Sequence, residues 1–231
     1  MIAVTFALPV ESMAFIKMLV RPIRLTNKGV AVIHGSLQGK PIVVSYTGVG
    51  EKRSRFQIHN ILREQRFQYL VSAGFAGALN EQLKIGHVFV ADNFTTTELR
   101  NSLVSIGGEF AYGKMVTSRV VVDGDAARSR LATESGAIAV DMETEFIAAA
   151  CRAHHLPLVA LRAISDTPSQ PLPAPPNVLF NMARQKPALG RLAIYLATHP
   201  SRLGQLVAFR QRVALARQRL AIALAQVIGN L

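Results

Sequence analysis

The stretch "AIAVDMETEFIAAAC", residues 137–151, joins an apolar run of strand length to an apolar run with helical character. Asp141, Met142 and Glu143 lie between the two runs. A turn needs only glycine, asparagine or one capping aspartate, so the further acids and the methionine predict a site for a molecule rich in hydroxyl groups. Two simpler roles stay open, because Asp141 suits a helix N-cap and Glu143 suits the first turn of a helix.

The same order of strand and helix recurs along the chain. Apolar runs of strand length alternate with segments whose apolar residues recur at helical spacing. The strands are mostly continuous apolar runs, which predicts a largely buried sheet covered on both faces, an α/β fold. We expect a hairpin at 29–50, a strand that runs into a glycine turn at 72–77, and a strand end, a turn and a short helix within 118–136. Strand-like runs cover residues 1–8, 67–77, 83–94, 137–143 and 156–166, and helical ones cover 51–65, 144–155 and 203–228.

The composition predicts an ordinary globular protein. The chain has 231 residues, of which 50% are hydrophobic. We predict a single domain over residues 1–231, in which 167–231 form a Pro-rich loop and a basic helical tail. The single cysteine, Cys151, excludes an intrachain disulfide framework and favours a reducing compartment and a core position. No apolar run reaches about 18 residues and no signal peptide is recognisable, so a cytoplasmic protein is expected.

The net charge of +12 is unevenly placed, since no Asp or Glu follows Asp166. Such a tail favours an anionic partner (a lipid surface, nucleic acid or an acidic protein), although an ordinary solvated face explains the charges equally well. Nucleic acid is not expected, because the chain has no Trp, only four Tyr and no recognised binding motif. The basic residues after Asp166 are Arg184, Lys186, Arg191, Arg202, Arg210, Arg212, Arg217 and Arg219.

Several polar or small residues follow the predicted strands. In α/β sheets, ligands bind beyond the carboxyl ends of the strands. We therefore expect Glu11, "TGVG" at 47–50, "SAGFAG" at 72–77 and Asp166 to meet the acidic turn at 141–143 on one edge of the sheet.

The acids at these strand ends suit the cleavage of a glycosidic bond. Glu143 could accept two hydrogen bonds from a ribose diol, and Met142 could pack on the sugar. Asp166 in an apolar pocket would have a raised pKa and could protonate a leaving group, while Glu11 acts as the base. The transition state would resemble an oxocarbenium ion. Alternatively, Asp166 caps a turn before Thr-Pro and Glu11 is an acid at a helix start.

Five stretches, in this order, resemble the purine nucleoside phosphorylase and nucleosidase superfamily, most closely the methylthioadenosine/S-adenosylhomocysteine nucleosidases. Together they extend over roughly residues 1–166, and the remainder matches only in being largely helical. The stretches are "ALPVES" (7–12), "YTGVGEKRS" (46–54), "VSAGFAGALNEQLKIGHVFVAD" (71–92), "AIAVDMETEFIAAAC" (137–151) and "LVALRAISD" (158–166).

The resemblance implies a fold and a set of site residues. The fold is a three-layer α/β/α sandwich with a central mixed twisted sheet, usually in a homo-oligomer such as a dimer, whose partner subunit often completes the site. No metal and no cofactor are implied, although phosphate is a possible co-substrate. The implied roles are water activation for Glu11, contact with sugar and base for Ser72, Ala73 and Gly74, ribose binding for Met142 and Glu143, and protonation of purine N7 by Asp166 with Ser165.

The chain also departs from the nucleosidase pattern. Asp141 replaces the first glutamate of the usual E-M-E turn, and Val120 or Val121 takes the place of the aromatic residue that stacks on the purine. The Pro-rich loop and basic tail are more similar to the hopanoid-associated branch, which releases adenine from adenosylhopane. Membership of that branch would explain a peripheral contact with an anionic inner membrane surface. Alternatively, an apolar stripe packs on the sheet or on a partner subunit; its residues are Leu206, Phe209, Val213, Ala216, Leu220 and Val227.

The identity of the acceptor is open. Glu11 favours water, because a carboxylate near C1′ repels phosphate. Lys52, Arg53 and Arg55 stand at a predicted helix start, where anions bind readily. We predict hydrolysis over phosphorolysis. A non-catalytic nucleoside-binding protein is the alternative to an enzyme, although a binding protein needs no acid beside the leaving group.

Overall fold

The computed structural model describes residues 1–27, 30–181 and 185–231. The strands are β1 (Ile2–Phe6), β2 (Val20–Asn27), β3 (Val30–Leu37), β4 (Lys40–Tyr46), β5 (Leu70–Ala78), β6 (Val88–Ala91), β7 (Phe110–Gly113), β8 (Met115–Thr117), β9 (Ala139–Asp141), β10 (Leu158–Asp166), β11 (Phe180–Asn181) and β12 (Lys186–Pro187). The helices are α1 (Pro9–Ile16), α2 (Glu51–Glu64), α3 (Thr97–Ile106), α4 (Asp125–Ser135), α5 (Thr144–Ala153), α6 (Pro176–Leu179), α7 (Leu189–Thr198) and α8 (Leu203–Asn230), and a 3-10 turn covers Pro200–Arg202.

The main sheet is mixed. Its strand order is β2-β3-β4-β1-β5-β10-β6-β7, and β9 pairs with both β5 and β8 beside this path. The central strands β4, β1, β5 and β10 are parallel, whereas β6 runs antiparallel to β10. The carboxyl ends of β1, β5 and β10 therefore meet at one edge, where α/β folds bind ligands.

Helices cover both faces of the sheet. Ala3 and Val4 are neighbours in β1, so their side chains point to opposite faces. Val4 belongs to a buried cluster with Leu224 of α8. Ala3 belongs to another, with Ile58 of α2 and Ile147 of α5. This arrangement confirms the predicted three-layer α/β/α sandwich.

Cys151 lies in the second of these clusters. Burial raises the pKa of its thiol to about 12. The sulfur therefore keeps its proton at neutral pH, as expected for a core residue.

The predicted glycine turn at 72–77 is wrong, because this segment continues β5 as far as Ala78. Glycine is required at positions 74 and 77 because carboxyl side chains approach the backbone closely there. A Cβ atom at Gly74 would lie 3.0 Å from Glu11 Oε1, and one at Gly77 would lie 2.8 Å from Asp166 Oδ2. A larger residue at either position would displace one of these carboxyl groups.

At the margins of the sheet, one prediction is wrong and one strand was not predicted. Residues 118–122 form a loop after β8, although the three valines at 120–122 predicted a strand end. Strand β2 was not predicted, because its sequence "VRPIRLTN" contains Pro22 and two arginines. Such residues are tolerated at a sheet edge, where one side of the strand faces solvent.

Helix α8 confirms the predicted helix at 203–228 and divides into two parts. Ala216, Leu220 and Val227 are buried in the main core, whereas residues 203–215 contain no buried side chain. The buried part packs against α1 and against β10 of the sheet, and the single domain over 1–231 stays a prediction. Within the described parts of the chain, no helix combines the length and apolar character needed to cross a bilayer.

Candidate active site

A cavity of about 200 Å³ opens at the carboxyl ends of β1, β5 and β10. Glu11, Glu143 and Asp166 all line it, and their exposed fractions are only 6%, 8% and 8%. The structure therefore brings together the three carboxyl groups that the strand-end argument placed on one edge. Five further predicted site residues line the same cavity: Val120, Val121, Asp141, Met142 and Ser165.

The remaining predicted site residues line a second, much smaller space. Ser72, Ala73 and Gly74 surround a volume of about 10 Å³, and Glu11 and Glu143 form walls of both spaces. A single water molecule requires about 10–15 Å³. This inner chamber is therefore near the size of one water molecule.

Glu11 is held by backbone donors. It lies in the first turn of α1, and its Oε2 accepts a hydrogen bond from the Leu8 N–H at 2.8 Å. Oε1 accepts one from the Phe75 N–H in β5 at 3.0 Å. Burial raises the pKa of Glu11 above its ordinary value, and these hydrogen bonds partly offset the effect. The carboxyl group thus has a fixed orientation and an increased basicity.

Glu143 connects the acidic turn to the glycine-rich loop. It immediately precedes α5, and its Oε1 accepts a hydrogen bond from the Gly50 N–H at 2.9 Å. Burial, and secondly the charge of Asp141, raise the pKa of Glu143 to about 8. The protonated form of Glu143 is therefore favoured at neutral pH.

We expect Glu143→Gln to flatten the pH dependence of stability. The folded protein keeps this proton up to about pH 8, whereas the ordinary pKa is 4.5. The free energy of unfolding therefore falls as the pH rises through this window, and the neutral amide removes that contribution. The free energy of unfolding, measured with denaturant at several pH values, tests this prediction. The same pH dependence of this free energy in the variant and the wild type would contradict the prediction.

Asp141 forms the centre of a buried polar network. Its side chain pairs with the guanidinium of Arg162, with 2.9 Å between Nη2 and Oδ2, and both side chains are almost fully buried. The hydroxyl of Thr117 donates to Oδ1 at 2.8 Å, and Thr144 donates its N–H and its hydroxyl. Asp141 therefore lines the cavity, but protein groups occupy its carboxylate oxygens, and its arrangement is that of an anchor for the turn.

Asp166 ends β10 and carries two side-chain partners. The Ser165 hydroxyl donates to Oδ1 at 2.7 Å. The guanidinium of Arg128 in α4 pairs with Oδ2 and also donates to the Ala78 carbonyl at 2.7 Å. The predicted apolar surroundings of Asp166 are therefore wrong, because a fully buried cation contacts its carboxyl group.

Two arginines were missed at the sequence level. Arg162 carried a signal, since a single arginine within the buried apolar strand "LVALRAISD" needs a buried partner. No feature of the sequence distinguishes Arg128 from Arg130 in the polar helix "DAARSRLATES". Only the three-dimensional structure shows that Arg128 contacts Ala78 of β5 and Asp166 of β10.

The loop at 47–50 has few donors left for an anion. The Val49 N–H donates to Gln185 Oε1 at 2.6 Å, and the Gly50 N–H is the donor to Glu143. These amides stand at the start of α2, where a phosphate would bind. The basic residues that follow them are exposed on α2: Lys52, Arg53 and Arg55.

The described residues contain no group of three or more His, Cys, Asp or Glu side chains placed to bind a metal ion. The polar groups of the cavity are carboxyl and hydroxyl groups, which suit a neutral molecule rich in hydroxyls and ring nitrogens.

The chain is similar to known nucleosidases. A 5′-methylthioadenosine/S-adenosylhomocysteine nucleosidase of Shewanella frigidimarina is 20% identical over 203 residues, which cover 74% of this chain and 88% of the relative. The corresponding enzyme of Staphylococcus aureus is 22% identical over 162 residues, covering 57% of this chain and 71% of the relative.

Solved structures share the fold at low identity. An adenine-bound structure from Borrelia burgdorferi, described as a 5′-methylthioadenosine/S-adenosylhomocysteine nucleosidase, has a TM-score of 0.77 and 17% identity, with all of both chains covered. Futalosine hydrolase of Helicobacter pylori has a TM-score of 0.75 and 18% identity, with 100% of this chain and 97% of that chain covered. The model of the phosphorylase superfamily matches residues 1–109 and 95–198. Since these ranges cover most of the sequence, the chain belongs to the phosphorylase superfamily.

Proposed function

We propose that the protein is a nucleosidase that hydrolyses the N-glycosidic bond of an adenine nucleoside. The observation that carries this proposal is the meeting of Glu11, Glu143 and Asp166 in one buried cavity. Such a cavity offers an acid, a base and a hydroxyl acceptor. The nucleosidases to which the chain is similar support an adenine nucleoside as the substrate.

Asp166 protonates the leaving base. Ser165 and Arg128 hold its two oxygens, so the carboxyl group has one orientation in the cavity. As the bond between C1′ and N9 breaks, its electron pair moves into the purine ring. The form of Asp166 that reacts carries a proton on Oδ1, the oxygen opposite the Arg128 contact; this proton passes to N7 through a hydrogen bond, and adenine leaves as a neutral molecule.

Glu143 and Met142 serve the sugar. Glu143 can bind the two ribose hydroxyls through its two carboxyl oxygens, one of which also accepts the hydrogen bond from the Gly50 N–H. Met142 supplies an apolar wall beside it. Val120 and Val121 then form the side of the cavity where the base would lie.

Glu11 serves the attacking water. Its raised pKa makes the carboxylate a stronger base, and the inner chamber beside it suits one water molecule. Glu11 takes a proton as the water oxygen bonds to C1′. The small chamber and the occupied amides of loop 47–50 both favour water over phosphate as the acceptor.

Product analysis with and without phosphate tests this proposal. We expect free ribose and adenine at the same rate in both reactions. Formation of ribose 1-phosphate, only when phosphate is present, would show that the enzyme is a phosphorylase and would contradict hydrolysis. No adenine from any adenine nucleoside would favour the non-catalytic nucleoside-binding alternative.

A nucleoside with a lipid 5′ substituent, such as adenosylhopane, is the second candidate substrate. The observation that favours it is the exposed apolar segment that begins at Leu189, four residues after Gln185, which bonds to Val49 at the cavity. The same product analysis, run with methylthioadenosine and adenosylhopane, distinguishes the two candidates. Release from methylthioadenosine alone would exclude the lipid substrate.

A further inference from the structure

Residues 189–210, which comprise α7, the 3-10 turn and the first turns of α8, have an unusual surface. We call this segment the C-terminal arm. None of its residues is buried. Four large aliphatic side chains are more than half exposed: Leu189 at 71%, Ile194 at 70%, Leu203 at 56% and Val207 at 51%. A segment with so much exposed apolar area marks a contact surface.

The arm is also purely cationic. Arg191, Arg202 and Arg210 are exposed, and no Asp or Glu occurs between Asp166 and the end of the sequence. Arg191 donates to the Asn177 carbonyl at 3.1 Å, and Arg202 donates to the Gln205 side chain at 2.7 Å, so both have neutral partners. Their positive charge is therefore available to an anionic partner.

The arginines expected at 210–219 do not all share this surface. Arg212 donates to the carbonyls of Gln170 and Pro171, at 2.8 and 3.0 Å. Arg217 contacts Met13 Sδ at 3.9 Å. Arg212 and Arg217 are only half-exposed. The exposed Arg219 lies near Gly86 on the part of α8 that packs on the sheet, so the cationic surface of the arm ends at Arg210. Arg184 lies outside the described residues.

We propose that the C-terminal arm docks on an anionic lipid surface. An interfacial helix needs aliphatic side chains that enter the acyl boundary and arginines that reach the headgroups, and the arm exposes both. A second copy of this chain would bring like charges together if two arms met. Nucleic acid would use the arginines but leave the aliphatic side chains in water.

Docking of the arm would bring the cavity close to the lipid. Before the arm, Gln185 bonds to Val49 of the cavity wall. After it, Arg212 bonds to the loop that contains Leu172, which lines the same cavity. Both ends of the arm are thus attached to elements of the cavity.

Vesicle sedimentation tests the proposal. The full chain is mixed with vesicles of phosphatidylcholine alone or of equal parts phosphatidylcholine and phosphatidylglycerol. We expect at least about a hundredfold tighter binding to the anionic vesicles. The triple variant Arg191→Gln, Arg202→Gln, Arg210→Gln should lose about a hundredfold of that affinity, at about fivefold for each arginine. The double variant Leu189→Ser, Ile194→Ser should lose at least about tenfold.

A matched control removes the same charge elsewhere. Arg63, Arg66 and Arg152 are exposed outside the arm, and their replacement by Gln should leave vesicle binding unchanged. An equal loss in this control would overturn the proposal, because net charge alone would then explain binding. Two other results would also overturn it: a wild-type dimer that the Leu189 and Ile194 variant dissociates, or binding of duplex RNA without binding of vesicles.

Discussion

We expect Asp166→Asn to lower the turnover of an adenine nucleoside at least about a hundredfold, which is the usual contribution of a general acid. An amide occupies the same volume beside Ser165 and Arg128 but cannot deliver a proton to N7. Steady-state release of adenine measures the effect. The loss should appear in kcat more than in KM, because the missing interaction belongs to the transition state.

A control variant distinguishes a loss of catalysis from a loss of folding. Asp166→Asn also removes the charge that pairs with the buried guanidinium of Arg128. Asp123 is the second carboxylate near Arg128, at 3.9 Å, and it does not line the cavity. Asp123→Asn therefore weakens the surroundings of Arg128 without touching the site and should keep wild-type turnover. Normal turnover in Asp166→Asn would remove Asp166 from its catalytic role.

The sequence predicted the layers of the fold and the edge that holds the carboxyl groups. This was possible because β1, β5 and β10 are continuous apolar runs, and a buried parallel strand leaves its first polar residue at its carboxyl end. Asp166 stands at such a position and Glu11 one turn beyond it, so their meeting needed only the strand order, which a short list of α/β arrangements supplies. Glu143 follows the short strand β9, which runs antiparallel to β5, and this rule does not account for its position.

The sequence did not predict what surrounds each carboxyl group. The partner of Asp166 comes from α4, which follows an irregular loop whose path no local pattern determines. The glycines of β5 were assigned to a turn because glycine is common there, yet Gly74 and Gly77 are needed to admit the oxygens of Glu11 and Asp166. Both errors concern contacts between residues far apart in the chain.

The largest effect on stability is expected from Arg162→Met. This change leaves the Asp141 carboxylate buried without its cation, which costs about 3–5 kcal/mol in the free energy of unfolding. It also removes hydrogen bonds from Arg162 to the carbonyl and hydroxyl of Ser72, at 2.6 and 3.0 Å. Denaturant unfolding, monitored by circular dichroism, measures the loss.

The chain offers a matched control in Arg100→Met. Arg100 and Asp92 also form an ion pair, but their side chains are 36% and 32% exposed. Water solvates the aspartate that remains there, so the loss should stay below about 1 kcal/mol. An Arg162→Met loss no larger than this would mean that Asp141 relaxes to solvent or takes up a proton. In that case the acidic turn would not depend on a fixed ion pair, and the position of Glu143 in the cavity would have another cause.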